Sequence, residues 1–192
     1  ELFEVYAIRL LAVGEPVLRD FESLLKSCPT EEPRFQDFLT NHPQLLDPMA
    51  VQVWPQPSLW GAREPDFVVR RSDDTYLVIE IECPSKLLLT SAGQLSADTS
   101  HAVNQVLDYA DRLTQRQELI VGVFPRFRAP DCLVVNGLEG PLTPEQKRML
   151  VLENAHRRGV RIVGFDWLVS RARAIMTGYV NHDVTVSKAR LE

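Results

Sequence analysis

The sequence predicts an α/β fold in which helices flank a mixed central β-sheet. Two runs rich in β-branched residues, at 64–69 and 76–84, enclose a polar stretch of turn residues, which is typical of an antiparallel hairpin. An amphipathic helical pattern follows at 101–117. Beyond it, short apolar runs alternate with helical segments, and this alternation favours a sheet covered by helices.

The segment before the hairpin is predicted to be mainly helical. A first helix is expected from Glu15 to Leu25, before the break at Cys28-Pro29-Thr30. A second begins at residue 30 or 31 and ends at Asn41, where His42-Pro43 stops it. Val51–Trp54 is a candidate strand, and Pro55, Pro57 and Gly61 indicate an irregular loop leading to the hairpin.

After the helix at 101–117, the apolar run from Glu118 to Phe124 is predicted to be a buried strand, which would complete a strand-helix-strand crossover. A further strand is predicted at Cys132–Asn136. Thr143, followed by proline and a glutamine at the third position, is a strong helix start. Val160–Phe165 is the last predicted strand, and Asp166 is expected to cap the closing helix.

Composition limits the protein class. The 192 residues are 45% hydrophobic and 24% charged, which fits one globular domain, at 30–192, with a helical appendage at 1–29. No apolar run approaches the ~20 residues that span a bilayer, so no membrane association is expected. Three cysteines at wide spacings favour a reducing compartment, here the cytoplasm. The chain begins with Glu rather than Met, so we expect it to be part of a longer protein.

Charge gives a mixed indication about nucleic acid. The net charge of −5 is opposite to that of a protein that binds DNA through bulk charge, so a basic groove would have to come from elsewhere in a longer chain or from a neighbouring protomer. Arginines nevertheless cluster locally, and both a binding and a merely solubilising role stay open for them. They are Arg63, Arg70 and Arg71; Arg126 and Arg128; and Arg157, Arg158 and Arg161.

Three acids are the candidate site: Asp66 in the first predicted hairpin strand, and Glu80 and Glu82 in the second. Side chains alternate along a strand, so the two glutamates share a face, with backbones about 6.6 Å apart. A five-residue loop from Arg71 to Thr75 would place Asp66 opposite Glu80, whereas a four-residue loop would place it opposite Ile81. The simpler interpretation, that the glutamates line the wet face of a half-exposed strand, also fits the alternation.

On the predicted helix at 101–117, Gln105 and Tyr109 lie one turn apart at an edge of the apolar stripe. From that position they could reach a neighbouring site. An ordinary place beside a buried helix face explains them equally well.

The order Asp66, then Glu80-Ile81-Glu82, then a helix resembles the PD-(D/E)xK nuclease pattern. More closely, the chain resembles the nuclease domain of the Shedu anti-phage defence family, over residues 32–175. The resemblance rests on Phe38-Leu39-x-x-His42-Pro43-x-Leu45-Leu46, Ile79-Glu80-Ile81-Glu82-Cys83-Pro84, Ala102-x-x-Gln105-Val106-Leu107-Asp108-Tyr109 and Val163-Gly164-Phe165-Asp166-Trp167-Leu168.

The resemblance implies a restriction-endonuclease-like fold and a cytoplasmic, homo-oligomeric DNA endonuclease that depends on Mg²⁺, with Mn²⁺ as a substitute. Asp66, Glu80 and the Ile81 carbonyl would hold the metal, Glu82 would add a ligand or a base, and Gln105 would hydrogen-bond water, carboxylate or phosphate. Glu32 is a further candidate acid, although a surface position at a helix start is the simpler account of it.

One position departs from the family pattern, because Shedu members generally carry lysine where this chain has Glu82. Glu-x-Glu versions act in some related endonucleases, and Lys86 is a candidate for a displaced lysine. Alternatively, catalysis has been lost and the domain binds DNA or a protein partner without cutting. A third hypothesis is an assembly module whose acids are surface decoration.

Overall fold

Five strands form a single mixed sheet whose spatial order equals their order along the chain. The computed structural model describes residues 14–58 and 64–180. The strands are β1 (Ala50–Pro55), β2 (Phe67–Arg71), β3 (Tyr76–Ile81), β4 (Asp131–Val135) and β5 (Val160–Val163). The first three pair antiparallel, whereas β3, β4 and β5 run parallel. The predicted α/β class with a mixed sheet is therefore confirmed.

Helices cover both faces of this sheet. They are α1 (Glu15–Ser27), α2 (Glu32–Asn41), α3 (Ala97–Gln115), α4 (Gln117–Ile120), α5 (Pro144–His156) and α6 (Phe165–Ile175). A 3₁₀ turn at Pro43–Leu45 and a π-helical turn at Met176–Val180 complete the regular structure. None of the helices in the described ranges combines the length and apolarity that crossing a bilayer requires.

The alternation of side chains along β3 divides the core into two clusters. Leu77, Ile79 and Ile81 belong to the cluster beneath α1, α2 and α6. Tyr76 and Val78 belong to the other cluster, which the apolar stripe of α3 closes. Every residue of β3 is buried, so this strand lies at the centre of the molecule. Glu80, on the Tyr76 and Val78 side, is therefore directed toward the α3 layer.

Helix α1 contributes to the first core cluster. Leu18 and Phe21 are fully buried, and the Phe21 ring lies 5.0 Å from that of Phe38 and 6.1 Å from that of Phe35, centroid to centroid. At the surface, Arg173 of α6 pairs with Glu15 and Glu22 of α1. The boundary between residues 29 and 30 stays a prediction.

The predicted strand at Glu118–Phe124 is wrong. Residues 117–120 form α4 and the following residues turn, so that β4 is instead the strand that completes the crossover from β3. The exposed fractions of Leu119, Val121 and Val123 are 72, 60 and 46%, whereas Ile120 and Phe124 are buried. Gly122, between the two buried residues, is exposed as well, so burial recurs every four residues, as on a helix, and not every two, as along a strand.

The start of α6 differs from the prediction as well. Helix α6 begins after Gly164, and the side chain of Asp166 does not cap it. The Asp166 carboxylate instead accepts hydrogen bonds from the backbone N–H groups of Glu139 (2.8 Å) and Gly140 (2.6 Å). Conversely, the predicted Thr143 cap of α5 is confirmed, with a reciprocal bond to Gln146. Gly61 and Arg63 lie outside the described residues.

Candidate active site

The hairpin loop determines how the acids are placed. Arg71 N–H donates to the Thr75 carbonyl (2.9 Å), and Phe67 pairs with Ile79. This confirms the five-residue loop, and the same antiparallel register puts Asp66, one residue before β2, opposite Glu80. The alternative with a four-residue loop is excluded.

Asp66 is held by hydrogen bonds at both its side chain and its backbone. Its Oδ2 accepts from the Ile81 N–H at 2.8 Å. Its carbonyl accepts from Gln36 Nε2 at 3.1 Å and from the Gln56 N–H at 2.8 Å. Sequence reasoning missed both glutamines, because nothing in their spacing separates them from ordinary surface glutamines. These bonds tie the carboxylate to the end of β3.

The environment of Asp66 disfavours its charge. Burial raises the pKa of this carboxyl to about 7, although the hydrogen bond from Ile81 opposes the rise. The negative charges of Glu32 and Glu82 raise it further. Repulsion of this kind is what a bound cation would relieve.

Glu80 and Glu82 are both 8% exposed, so the interpretation of a half-exposed strand with a wet face is wrong. Glu80 is buried within β3, whereas Glu82 lies one residue beyond it. The Glu82 N–H donates to the Val135 carbonyl at 2.9 Å, which joins this end of β3 to the end of β4. Two buried carboxylates therefore lie two residues apart at the end of β3, at a cost that requires compensation.

Lys86 supplies part of that compensation. A turn in which the Lys86 N–H donates to the Cys83 carbonyl (3.1 Å) brings its side chain back toward β3. The Lys86 ammonium forms an ion pair with the Glu82 carboxylate, and a second one, at 3.5 Å, with Asp98 Oδ1. The hydrogen bond to Glu82 raises the pKa of the lysine. The candidate displaced lysine thus lies at the acidic site.

Glu32, at the start of α2, also belongs to the acidic cluster. Burial raises the pKa of its carboxyl, and the charge of Glu82 raises it further, whereas Lys86 lowers it. Glu32 is half-buried and opens α2, so its place at a helix start is confirmed, and its charge also acts on Asp66. We call Glu32, Asp66, Glu80 and Glu82 the acidic cluster.

Gln105 is half-buried on α3, the helix that packs against β3 and β4. It lies one turn before the buried Tyr109, as the periodicity predicts. Its proposed bond to water or phosphate stays a prediction.

The donor chemistry of the acidic cluster fits a hard divalent cation. Carboxylate and carbonyl oxygens suit Mg²⁺, which keeps several of its waters and needs few protein ligands. Over residues 14–58 and 64–180, no three His, Cys, Asp or Glu side chains converge closely enough to hold a metal ion by themselves. The ligand set that the family resemblance implies needs only two carboxylates, those of Asp66 and Glu80, with the Ile81 carbonyl.

A comparison with known families covers this whole site. The sequence model described as Shedu protein SduA, C-terminal, matches residues 29–169, close to the span expected from the motifs. The match includes the acidic cluster, Lys86 and Gln105. No curated protein matches the chain. Because the family match spans most of the sequence, the chain belongs to the Shedu protein SduA C-terminal family.

Proposed function

We propose that this protein is a metal-dependent DNA endonuclease that acts in bacterial anti-phage defence. Membership of the Shedu family supports the defence role. The observation that carries the nuclease role is the pairing of the half-buried Asp66 with the buried Glu80 across a hairpin in that family's domain. A nuclease needs such carboxylates to gather positive charge around a phosphodiester, and a purely structural hairpin does not need them.

In this proposal Asp66, Glu80 and the Ile81 carbonyl would hold Mg²⁺, or Mn²⁺ in its place. When bound, the ion lowers the pKa of a coordinated water and neutralises phosphate charge. The Ile81 N–H holds one Asp66 oxygen, and the Gln56 side chain also hydrogen-bonds this carboxylate, so both would position it for the metal. Gln105 would hydrogen-bond the attacking water or a phosphate oxygen from the α3 side.

Lys86 would take the part of the lysine that Glu82 replaces. Its ammonium is already in contact with Glu82, so it brings a positive charge to the end of β3. Glu82 then orients the lysine or accepts a proton from water. Together, Lys86 and Glu82 have a net charge near zero. A lysine at position 82, as the family usually has it, would instead contribute one positive charge.

A second candidate function is binding without cleavage, to DNA or to a protein. The ion pair between Lys86 and Glu82 also favours this alternative, because each group is occupied by the other. The two functions differ in a single observable, which is hydrolysis of the phosphodiester bond.

DNA is the proposed substrate, and we propose that the protein acts as a cytoplasmic homo-oligomer. Exposed apolar side chains after α3, at Leu119, Val121 and Val123, support self-association. The three free cysteines support a reducing compartment.

The test is cleavage of linear and supercoiled DNA in Mg²⁺ or Mn²⁺ by the unmodified chain, Glu80→Ala and Glu80→Gln. Asp111→Asn, which changes an exposed acid on α3, is the matched control. We expect cutting by the unmodified chain and the control, and none by either Glu80 variant. If no protein cuts while circular dichroism shows all of them folded, but the unmodified chain shifts DNA in a gel, the binding function replaces the nuclease.

A further inference from the structure

A second polar site lies at the opposite end of the strands from the acidic cluster. At that end β2 stops at Arg71, and β4 and β5 begin. A cavity of about 290 Å³ opens between these strand ends and α6. Three arginines and a tryptophan are among the residues that line it: Arg71, Arg161, Arg171 and Trp167. The volume is at the lower end of the range for small-molecule pockets.

Arg71 engages both of the carboxylates that line the cavity. Its Nε donates to Asp47 Oδ2 at 2.8 Å, and its Nη1 donates to Asp131 Oδ2 at 2.9 Å. Asp47 also accepts from the Met49 N–H through its other oxygen. These acids are therefore committed to one guanidinium and to the backbone.

Arg171 reaches the cavity from α6 and is paired mainly with neutral groups. Its Nη2 donates to the carbonyls of Leu45 and Leu46, and its guanidinium carbon lies 4.5 Å from the centre of the Trp167 ring. Burial lowers its pKa to about 10, and the positive charges of Arg161 and Arg71 contribute to that lowering although Asp47 opposes it. The guanidiniums are thus close enough to repel one another.

Arg161 completes the group from β5. Its guanidinium carbon lies 4.6 Å from the centre of the Trp167 ring, and no carboxylate in the described parts of the chain comes within 4.0 Å of its nitrogens. Since Arg161 is exposed, it can meet a ligand without prior rearrangement. The cavity lining thus holds three cations and two carboxylates, a net positive charge, and Glu139, which interacts with the charge of Arg161, lies outside that lining.

We propose that this cavity binds the phosphate group of a small ligand, either inorganic phosphate or a nucleoside monophosphate. Guanidinium groups bind phosphate oxygens through paired, charge-assisted hydrogen bonds. An oxyanion would offset the repulsion among the arginines, and Trp167 keeps two of their guanidiniums in place. The inference does not depend on the proposed nuclease activity, because it uses other residues, at the opposite end of the strands.

The test is calorimetric titration of the whole chain with sodium phosphate and, separately, with deoxyadenosine monophosphate, in EDTA and at constant ionic strength. EDTA removes any contribution from a metal ion at the acidic cluster. The variant is Arg161→Gln. The matched control is Arg158→Gln, which removes an exposed arginine three residues earlier and away from the cavity lining.

We expect saturable binding by the unmodified chain and by Arg158→Gln, and at least tenfold weaker binding by Arg161→Gln. Phosphate alone binding as tightly as the nucleotide would identify the free anion as the ligand, and tighter nucleotide binding would identify the nucleotide. In a parallel NMR titration, the indole N–H resonance of Trp167 should move and that of Trp54 should not. No saturable binding, equal binding by the Arg161 variant, or a Trp167 resonance that stays in place would overturn the proposal.

Discussion

Single residues of the acidic cluster have shifted pKa values that stability measurements can detect without DNA. Asp66 has an ordinary carboxyl pKa of 3.8 when exposed and one of about 7 in the folded protein. Its negative charge is therefore disfavoured by folding. Proton linkage converts this difference into a dependence of stability on pH.

We predict that the metal-free protein loses stability as the pH rises from about 4 to about 7 and changes little above that range. Below pH 4 the carboxyl is protonated in both states, and above pH 7 it is ionised in both, so the full loss attributable to Asp66 is about 4 kcal/mol. Urea denaturation in EDTA between pH 4 and 8 measures it. Asp66→Asn, which can still accept from Ile81, should remove the larger part of the slope and leave the part due to Glu32, whose pKa is also raised, and Asp111→Asn should leave the profile unchanged. A slope that is as steep in Asp66→Asn as in the unmodified chain would contradict the assignment.

A second prediction concerns Lys86. Lys86→Met should lower the DNA cleavage rate at saturating metal at least tenfold, because a positioned proton-transfer or charge-stabilising group contributes that much or more. Lys147→Met, on the exposed part of α5, is the matched control and should cut normally.

The exchange Glu82→Lys with Lys86→Glu keeps the ion pair and puts lysine where the family usually has it. It should cut faster than Lys86→Met. Full activity of Lys86→Met would show that Lys86 only neutralises its neighbour.

At the scale of elements, patterns that act locally were predictable and those that depend on distant packing were not. The Thr143 cap and the hairpin turn follow from hydrogen bonds among residues a few positions apart. The segment at 118–124 is apolar enough for a strand, but its place beside β3 is taken by β4. Only the complete sheet decides which of two apolar runs pairs with β3.

The helical spacing of this segment predicts an unequal response to truncation. Phe124 is fully buried, with its ring 4.8 Å from that of Trp54 and 6.1 Å from that of Tyr76, so Phe124→Ala should lower the free energy of unfolding by about 3–5 kcal/mol. Leu119→Ala should change it by no more than about 0.5 kcal/mol, because that side chain is exposed. Chemical denaturation compares the two variants. Equal losses would indicate a buried strand.

The whole molecule brings together groups that the sequence separates widely. The sequence places Asp66, Glu80 and Glu82 within one supersecondary unit, but it leaves open the register that sets Asp66 opposite Glu80. Glu32 comes from a preceding helix, and Gln36 and Gln56 bind the Asp66 backbone from α2 and from just after β1. Their contributions depend on how helix and sheet pack, and no local pattern encodes that.

Metal binding should be measurable as stabilisation of the whole fold. An ion that binds only the native state adds about 2.7 kcal/mol at one hundred times its dissociation constant. We therefore predict that millimolar Mg²⁺ or Mn²⁺ raises the melting temperature of the unmodified chain and of Asp111→Asn. Glu80→Gln should show no such rise. Unchanged melting of the unmodified chain in millimolar metal would count against the metal site.

The parallel pairing of β3 with β4 also has a consequence during synthesis on the ribosome. Ile81 pairs with Val135, and the Glu82 N–H donates to the carbonyl of that same residue. The backbone at Glu82 is therefore ordered only after a segment more than fifty residues further along the chain has been synthesised. The hairpin forms early because its contacts are local, whereas closure of the crossover is slow. A nascent chain that ends before β4 thus carries the acids without the strand that orders them. The proposed cutting activity would then be withheld until translation has passed that point.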